Sequence, residues 1–143
     1  MPRMTFAPGV HLSATDVVVL VSGAIGAPLL WTITWWWGFV IGFVVAHFFV
    51  FCNVVRLSRS LEFVWGGTFA TLAAATIAAD FPGWPATGAI SLGVTVLVVL
   101  IEMRKPSYHG IGWQKINPGL PAWWEAHVAA TEATRIPDLG EKK

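Results

Sequence analysis

A histidine and a cysteine lie within an otherwise apolar stretch of the chain, and their side chains are the first candidates for chemistry. His47 precedes Cys52 by five positions, and Asn53 follows directly. An imidazole in apolar surroundings can act as an axial ligand of haem iron or of a chlorophyll-type magnesium, or it can relay protons. The ordinary alternative is a neutral histidine that hydrogen-bonds to a neighbouring helix, and the residue types favour that alternative.

The cofactor hypothesis for His47 depends on what else could share the site. A haem with two histidine ligands would need a second histidine at a similar depth, but His11, His109 and His127 lie outside the apolar stretches. A chlorophyll-type pigment needs one protein ligand, so His47 remains a cofactor-binding candidate for it. Light-harvesting polypeptides usually carry alanine four residues before their ligand histidine, whereas this chain has Phe43 there.

The neighbouring polar residues predict structural roles. Cys52 is the single cysteine, and no base that could activate its thiol lies close by in the sequence, so we interpret it as a small apolar side chain. Asn53 is expected to hydrogen-bond to another helix, which in membranes contributes about 0.6 to 2 kcal/mol.

The apolar stretch ends at a charged corner formed by Arg56, Arg59 and Glu62. We expect Glu62, in the first turn of the following helix, to pair with one of the arginines. Such a corner could bind a lipid headgroup or an acidic loop of a partner, although a role as an orientation anchor is simpler. Glu102 and Arg104 predict a similar anchor further along the chain.

No recognised catalytic or metal-binding motif occurs in the sequence. It lacks a Walker loop, a nucleophile elbow, an HExxH motif, a dinucleotide fingerprint and a carboxylate pair with catalytic spacing. No basic cluster is dense enough to indicate a nucleic-acid partner. We therefore predict that the protein is not an enzyme, that it holds no metal through a dedicated motif, and that it does not bind nucleic acid.

The distribution of charge indicates an integral membrane protein. Apolar residues make up 55% of the 143-residue chain and charged residues only 12%, compared with about 25% charged residues in soluble domains. Residues 17–55, 63–79 and 81–101 contain no charge at all. Apolar segments of this length span the bilayer as helices, and the alternation of a transmembrane barrel strand is absent.

The sequence therefore predicts an all-α fold with four transmembrane helices. We place them at about residues 14–31, 36–55, 61–79 and 87–103, within a bundle of residues 13–103 that follows a cytoplasmic lead-in at 1–12. A turn at residues 32–34 would join the first two helices as a hairpin, and one long tilted helix with a re-entrant partner is the alternative. Residues 104–143 form a cytoplasmic tail with a short helix near 121–133 and a disordered end at 137–143.

Tryptophan and cationic residues predict how the bundle is oriented and anchored. Tryptophan is enriched at membrane interfaces. The predicted anchors at the connections between the first and second helices and between the third and fourth helices are Trp31, Trp35, Trp36, Trp37 and Trp84. All nine Lys and Arg residues fall on the opposite side of the membrane, where Arg56 and Arg59 anchor the connection between the second and third helices. The positive-inside rule makes that side cytoplasmic, with both termini inside.

Small residues at four-residue spacing predict the helix-packing faces. In the second helix these are Gly38, Gly42 and Ala46, on a face that continues to Asn53. In the third helix, the corresponding row is Gly66, Ala70, Ala74 and Ala78. We expect both rows to pack within the bundle, and the aliphatic fourth helix to face lipid or a partner.

Two segments carry a resemblance to known proteins. They are HFFVFCNVVRLSRSLEFVWGGTF at residues 47–69 and IEMRKPSYHGIGWQKINPG at residues 101–119. Together they resemble a set of small polytopic bacterial inner-membrane proteins with no assigned activity. The resemblance implies a bacterial cytoplasmic or intracytoplasmic membrane and supplies no catalytic residue.

These observations lead to one preferred function and two alternatives. The preferred hypothesis is a non-catalytic accessory subunit of a larger bacterial membrane complex, either a photosynthetic reaction centre with its light-harvesting proteins or a respiratory assembly. Its partners would be other integral membrane subunits and lipid. The first alternative is a subunit that binds a pigment or haem through His47, and the second is a small transporter or channel component.

Overall fold

Four long apolar helices dominate the computed structural model, which describes residues 6–135. They are α1 (Ala14–Ile33), α2 (Trp35–Phe49) with a π-helical extension (Val50–Val55), α3 (Arg59–Ala79) and α4 (Trp84–Met103). Each is long and apolar enough to cross a membrane, and no strand occurs in the described part of the chain. The predicted all-α fold with four membrane spans is confirmed. The predicted disordered end at 137–143 lies outside the described residues.

α1 begins with a reciprocal cap and continues further than the sequence predicts. The Asp16 backbone N–H donates to Ser13 Oγ at 3.2 Å, and the Ser13 N–H donates to the Asp16 carboxylate at 2.8 Å. The helix passes through Pro28 and ends at Ile33. Thr34 alone links it to α2, so the expected turn at 32–34 is reduced to one extended residue. The two helices form a hairpin.

Small residues allow α1 and α2 to approach closely at one end of this hairpin. A Cβ atom added at Gly38 would lie 2.5 Å from the Ala27 carbonyl oxygen and 2.7 Å from Trp31 Cβ. At Gly42 the same addition would meet Ala27 at 3.6 Å, which is ordinary contact. Ala46 is exposed, so the packing face expected from Gly38 to Ala46 ends after Gly42.

α3 packs through a different face from the one that the sequence predicts. Its buried residues are Trp65, Phe69, Ala73 and Thr76. The small-residue row expected inside the bundle faces outward instead: Ala70, Ala74 and Ala78 are exposed, and a Cβ at Gly66 would meet nothing within 4 Å. The large aromatic side chains of α3 lie on the inner face because they fill the space between the helices.

α4 pairs with α3 and begins three residues earlier than predicted. Trp84 and Pro85 open the helix, and proline suits the first turn because its missing N–H would have no partner there. The hydroxyl groups of Thr76 and Thr87 lie 2.9 Å apart and join the two helices inside the bundle.

The last turns of the second span are π-helical, which the sequence did not reveal. The segment Val50–Val55 ends at Arg56, whose φ of 57° lies in the left-handed region. The Asn53 carbonyl accepts the His11 N–H at 3.2 Å, and the Val54 carbonyl accepts the Ile111 N–H at 2.8 Å. The widened helix end is therefore completed by the segments that precede α1 and follow α4.

The segment after α4 folds back onto this end of the bundle. It contains two helices, α5 (Trp113–Ile116) and α6 (Leu120–Arg135), where the sequence predicts one. Tyr108 and Leu120 are 1% and 0% exposed. Phe6 contacts both Trp113 and Trp124, with ring centroids 6.0 and 5.7 Å apart. The tail thus contributes side chains to the core, and Trp124 packs against the lead-in of the same chain.

The Gly38 contact predicts a large difference between two substitutions of the same kind. Gly38→Ala should destabilise the hairpin by about 1–3 kcal/mol, because the new methyl group collides with backbone that cannot move freely. Gly66→Ala, at an open position in α3, should be neutral or stabilising by about 0.5–1 kcal/mol. Thermal unfolding in detergent, followed by circular dichroism, measures both. Equal stabilities of the two variants would contradict the close approach at Gly38.

Candidate functional site

His47 lies at the centre of an aromatic cluster between α2 and α3. The residue is 8% exposed, and its ring stacks on Trp65 with centroids 4.5 Å apart and planes 19° apart. Phe43 lies 4.2 Å from the imidazole and Phe51 lies 5.5 Å from it, edge-on. Phe69 extends the cluster by stacking on Trp65 at 5.5 Å. The cluster packs the two helices against each other.

The hydrogen bond of the imidazole defines its tautomer. His47 Nδ1 lies 2.7 Å from the Phe43 carbonyl oxygen, one turn earlier in α2. A carbonyl oxygen only accepts, so Nδ1 carries the proton and Nε2 holds the lone pair of the neutral ring. Nε2 has no hydrogen-bond partner among the described residues. It is the nitrogen that would bind a metal centre.

Trp65 connects this cluster to the fourth span. Its indole Nε1–H donates to Thr95 Oγ1 at 2.8 Å and to the Ser91 carbonyl at 3.2 Å. Trp65 therefore contacts α2 by stacking, belongs to α3 and hydrogen-bonds to α4. Buried Trp N–H groups need such partners, and here the partners come from a neighbouring helix.

The packing around His47 bears on the cofactor hypothesis. A planar tetrapyrrole bound at Nε2 needs open space in front of that atom, whereas the whole residue is 8% exposed and Trp65 covers one face of the ring. Residues 6–131, whose side chains are described, contain no cluster of three or more His, Cys, Asp or Glu suited to a metal ion. The contacts favour a packing role for His47.

Asn53 is almost fully buried in the π-helical segment, at 2% exposure. In the amide orientation that satisfies its neighbours, Nδ2 donates to Asp16 Oδ2 at 2.9 Å and to the His11 carbonyl oxygen. The side chain therefore joins the end of the second span to the start of α1 and to the lead-in. This is a contact between helices, as expected for Asn53.

Glu102 is a buried carboxylate near the end of α4. It is 4% exposed and accepts hydrogen bonds from the Ser58 N–H at 3.1 Å and from Ser58 Oγ at 2.9 Å. Lys105 Nζ lies 2.7 Å from the same oxygen. The cation beside Glu102 is therefore Lys105 and not Arg104, because the chain turns after Met103 and brings Lys105 over the carboxylate.

Glu62 lacks its predicted arginine partner. The Cys52 thiol donates to the Glu62 carboxylate at 3.5 Å, so Cys52 is polar in its contacts and not merely an apolar filler. Among residues 6–131, the Lys105–Glu102 contact is the one ion pair within 4.0 Å. Arg56 and Arg59 thus have no carboxylate partner in that part of the chain.

The five predicted interface tryptophans meet at the opposite end of the bundle. Trp84 stacks on Trp36 with centroids 5.5 Å apart and meets Trp35 edge-on at 6.1 Å. Trp31 contacts Trp35 at 6.2 Å, and Trp37 stacks on Trp36 at 4.7 Å. The starts of α2 and α4 are therefore joined by one layer of indole rings, in which Trp31, Trp35 and Trp37 stay about half exposed.

A polar row on α4 was missed in the sequence. Thr87, Ser91 and Thr95 recur every four residues, which places them on one helix face, and Glu102 lies near its end. Thr87 and Ser91 are 0% and 1% exposed. Ser91 Oγ has no hydrogen-bond partner in the described part of the chain. The four-residue spacing was the available signal, and the surrounding valines and leucines concealed it.

Comparisons with protein-family models, with curated proteins and with solved structures find no match. Functional inference therefore depends on the geometry of this chain. That geometry has three parts: the aromatic cluster around His47, the outer face of α3, and the end of the bundle that carries Arg56 and Arg59.

The packing role of His47 predicts different outcomes for two substitutions. His47→Ala should cost about 2–4 kcal/mol, because it removes the stack on Trp65 and leaves a cavity. His47→Phe keeps an aromatic ring at the position and should cost less than about 1 kcal/mol. Thermal unfolding in detergent compares the two, and the absorption spectrum between 350 and 900 nm is recorded for each. A visible band that His47→Phe abolishes would contradict the packing role and support a pigment or haem.

Proposed function

We propose that the protein is a non-catalytic accessory subunit that packs against other integral membrane proteins through the outer face of α3. The observation that carries the proposal is the outward small-residue row Gly66, Ala70, Ala74 and Ala78. Helices in a membrane associate where small residues allow backbones to approach, since lipid is as apolar as leucine and provides no hydrophobic drive.

The outer face of α3 has the shape that a partner helix requires. Ideal Cβ atoms built at Gly66 and Gly67 meet nothing within 4 Å, so the backbone there is open. Phe63 and Ile77 stand near the two ends of the row and are 77% and 56% exposed. A helix placed along the row would contact backbone in the middle and large side chains at both ends.

The setting of this subunit is part of the same proposal. The four apolar spans make contact with lipid a general property of the chain. The resemblance of residues 47–69 and 101–119 to small bacterial inner-membrane proteins supports a bacterial cytoplasmic or intracytoplasmic membrane. A photosynthetic or a respiratory complex would each provide the transmembrane partners that the α3 face needs.

A second candidate is a subunit that binds a pigment or haem through His47. The observation in its favour is the lone pair of Nε2, which has no hydrogen-bond partner among the described residues. This candidate requires Trp65 and its neighbours to move away from the imidazole. The spectra of the two His47 variants distinguish it from the first proposal.

The proposed orientation places the arginine-rich end in the cytoplasm. Fusions of alkaline phosphatase, which is active only outside the cytoplasm, test it. A fusion after Gly83, between α3 and α4, should be active, whereas fusions after Ser58 and after Arg104 should be inactive, because cationic segments remain inside. The reverse pattern, confirmed by green fluorescent protein fusions at the same sites, would contradict the orientation.

The proposed interface predicts loss of partners without loss of fold. In Gly66→Leu/Ala74→Leu, two bulky side chains occupy the open row, so helix partners should be excluded while the bundle itself stays folded. Purification in mild detergent, with identification of co-purifying membrane proteins by mass spectrometry, measures this. Val96→Leu, at a position of α4 that is 60% exposed, is the control and should retain every partner. A wild-type protein that purifies as a lone monomer would contradict the proposal.

A further inference from the structure

Two hollows meet at the end of the bundle where α2 ends and α3 begins. Their volumes are about 270 and 670 Å³, and Arg56 and His109 line both. His11 contributes to the smaller hollow, and Arg59 and Ser107 contribute to the larger one. The side chains that can donate hydrogen bonds therefore line a space large enough for a lipid headgroup.

Arg56 is held in place by its backbone and by its side chain. Its φ of 57° is unusual for a residue other than glycine, and such conformations persist where the surrounding structure enforces them. The Arg56 N–H donates to the Phe51 carbonyl, and Nη1 donates to the Ala7 carbonyl at 2.6 Å. A guanidinium group has five N–H donors, so the others have no partner among the described residues.

The charges around the larger hollow favour an anionic ligand. Glu102 is already satisfied by Lys105 and Ser58. Glu62 is then the one remaining carboxylate of the lining, against the two cations Arg56 and Arg59. Neither arginine lies within ion-pair distance of a carboxylate among residues 6–131. An arginine fork without a carboxylate partner is well suited to the oxygens of a phosphate group.

The position of the hollow relative to the spans favours a lipid as the source of that phosphate. Arg56 lies directly after one membrane span and Arg59 opens the next, so both lie at the level of the headgroups. Phe63 also lines the larger hollow, is 77% exposed, and lies one turn further into α3. A headgroup in the hollow would therefore have an apolar surface beside it for the acyl chain.

We propose that the larger hollow, which Arg56 and Arg59 line, binds the phosphate of an anionic phospholipid. Arg56 and Arg59 donate to the phosphate oxygens, and Phe63 contacts an acyl chain. The site requires only that the chain spans the membrane, and its two arginines lie outside the small-residue row of α3.

Native mass spectrometry of the delipidated protein in detergent tests the proposal. Phosphatidylglycerol, phosphatidylcholine and inorganic phosphate are titrated separately onto the wild type, Arg59→Gln, Arg56→Gln/Arg59→Gln and Arg104→Gln. Arg104→Gln is the matched control, because this arginine lies at the same end of the bundle and lines neither hollow.

The expected result is that phosphatidylglycerol binds the wild type more tightly than phosphatidylcholine and far more tightly than inorganic phosphate. Arg59→Gln should weaken that binding about tenfold, and the double variant should weaken it further, whereas Arg104→Gln should stay within about twofold of the wild type. Arg59 is exposed, so its variant carries the test if loss of Arg56 disturbs folding.

Three results would overturn the proposal. Equal weakening by Arg104→Gln would mean that general charge, not the hollow, attracts the lipid. Binding of inorganic phosphate as tight as that of phosphatidylglycerol would indicate a site for a soluble anion. Unchanged lipid affinity in a folded Arg59→Gln variant would show that this arginine does not contact the headgroup.

Discussion

The contact that the rest of the bundle depends on is the one by which Trp65 of α3 joins α2 and α4. In a bilayer, apolar burial does not drive helices together, so shape, stacking and hydrogen bonds between helices must do so. Trp65 stacks on His47 of α2, and its N–H donates to Thr95 of α4. The hairpin of α1 and α2 is thereby fixed to the pair of α3 and α4, and the outer face of α3 is held in a defined direction.

The arginine-rich end of the bundle illustrates a second constraint, which is that buried polar groups need partners. The π-helical turn Val50–Val55 leaves carbonyl groups that the ordinary helical ladder does not satisfy. The segments that precede α1 and follow α4 in the sequence supply the missing donors, which are the N–H groups of His11 and Ile111. The same fold-back buries Tyr108, and burial, with the nearby charge of Glu102, raises the pKa of its hydroxyl. The hydroxyl stays protonated and donates to the Ile111 carbonyl at 2.8 Å.

Much of the fold could be predicted from the sequence, because the segregation of charges reports directly on the membrane. The direction of each packing face could not, since spacing alone does not say which side of a helix is inside. In α3, the spacing of Gly66 and Ala70 suggested that these residues face the inside of the bundle. The larger side chains of Trp65 and Phe69 are buried there instead. The contact between Glu102 and Ser58 joins residues 44 positions apart in the chain, and no local spacing indicates it. The π-helical turn likewise depends on partners distant in the sequence.

We propose that the small-residue row Gly66, Ala70, Ala74 and Ala78 of α3 contacts protein and not lipid. A photo-crosslinking amino acid placed at Ala74 in living cells tests it most directly, with the same residue at Val96 on α4 as the comparison. We predict that the probe at position 74 forms an adduct with another integral membrane protein, identified by mass spectrometry, and that the probe at position 96 labels lipid. Lipid adducts alone at both positions, in protein that is folded and inserted, would contradict it.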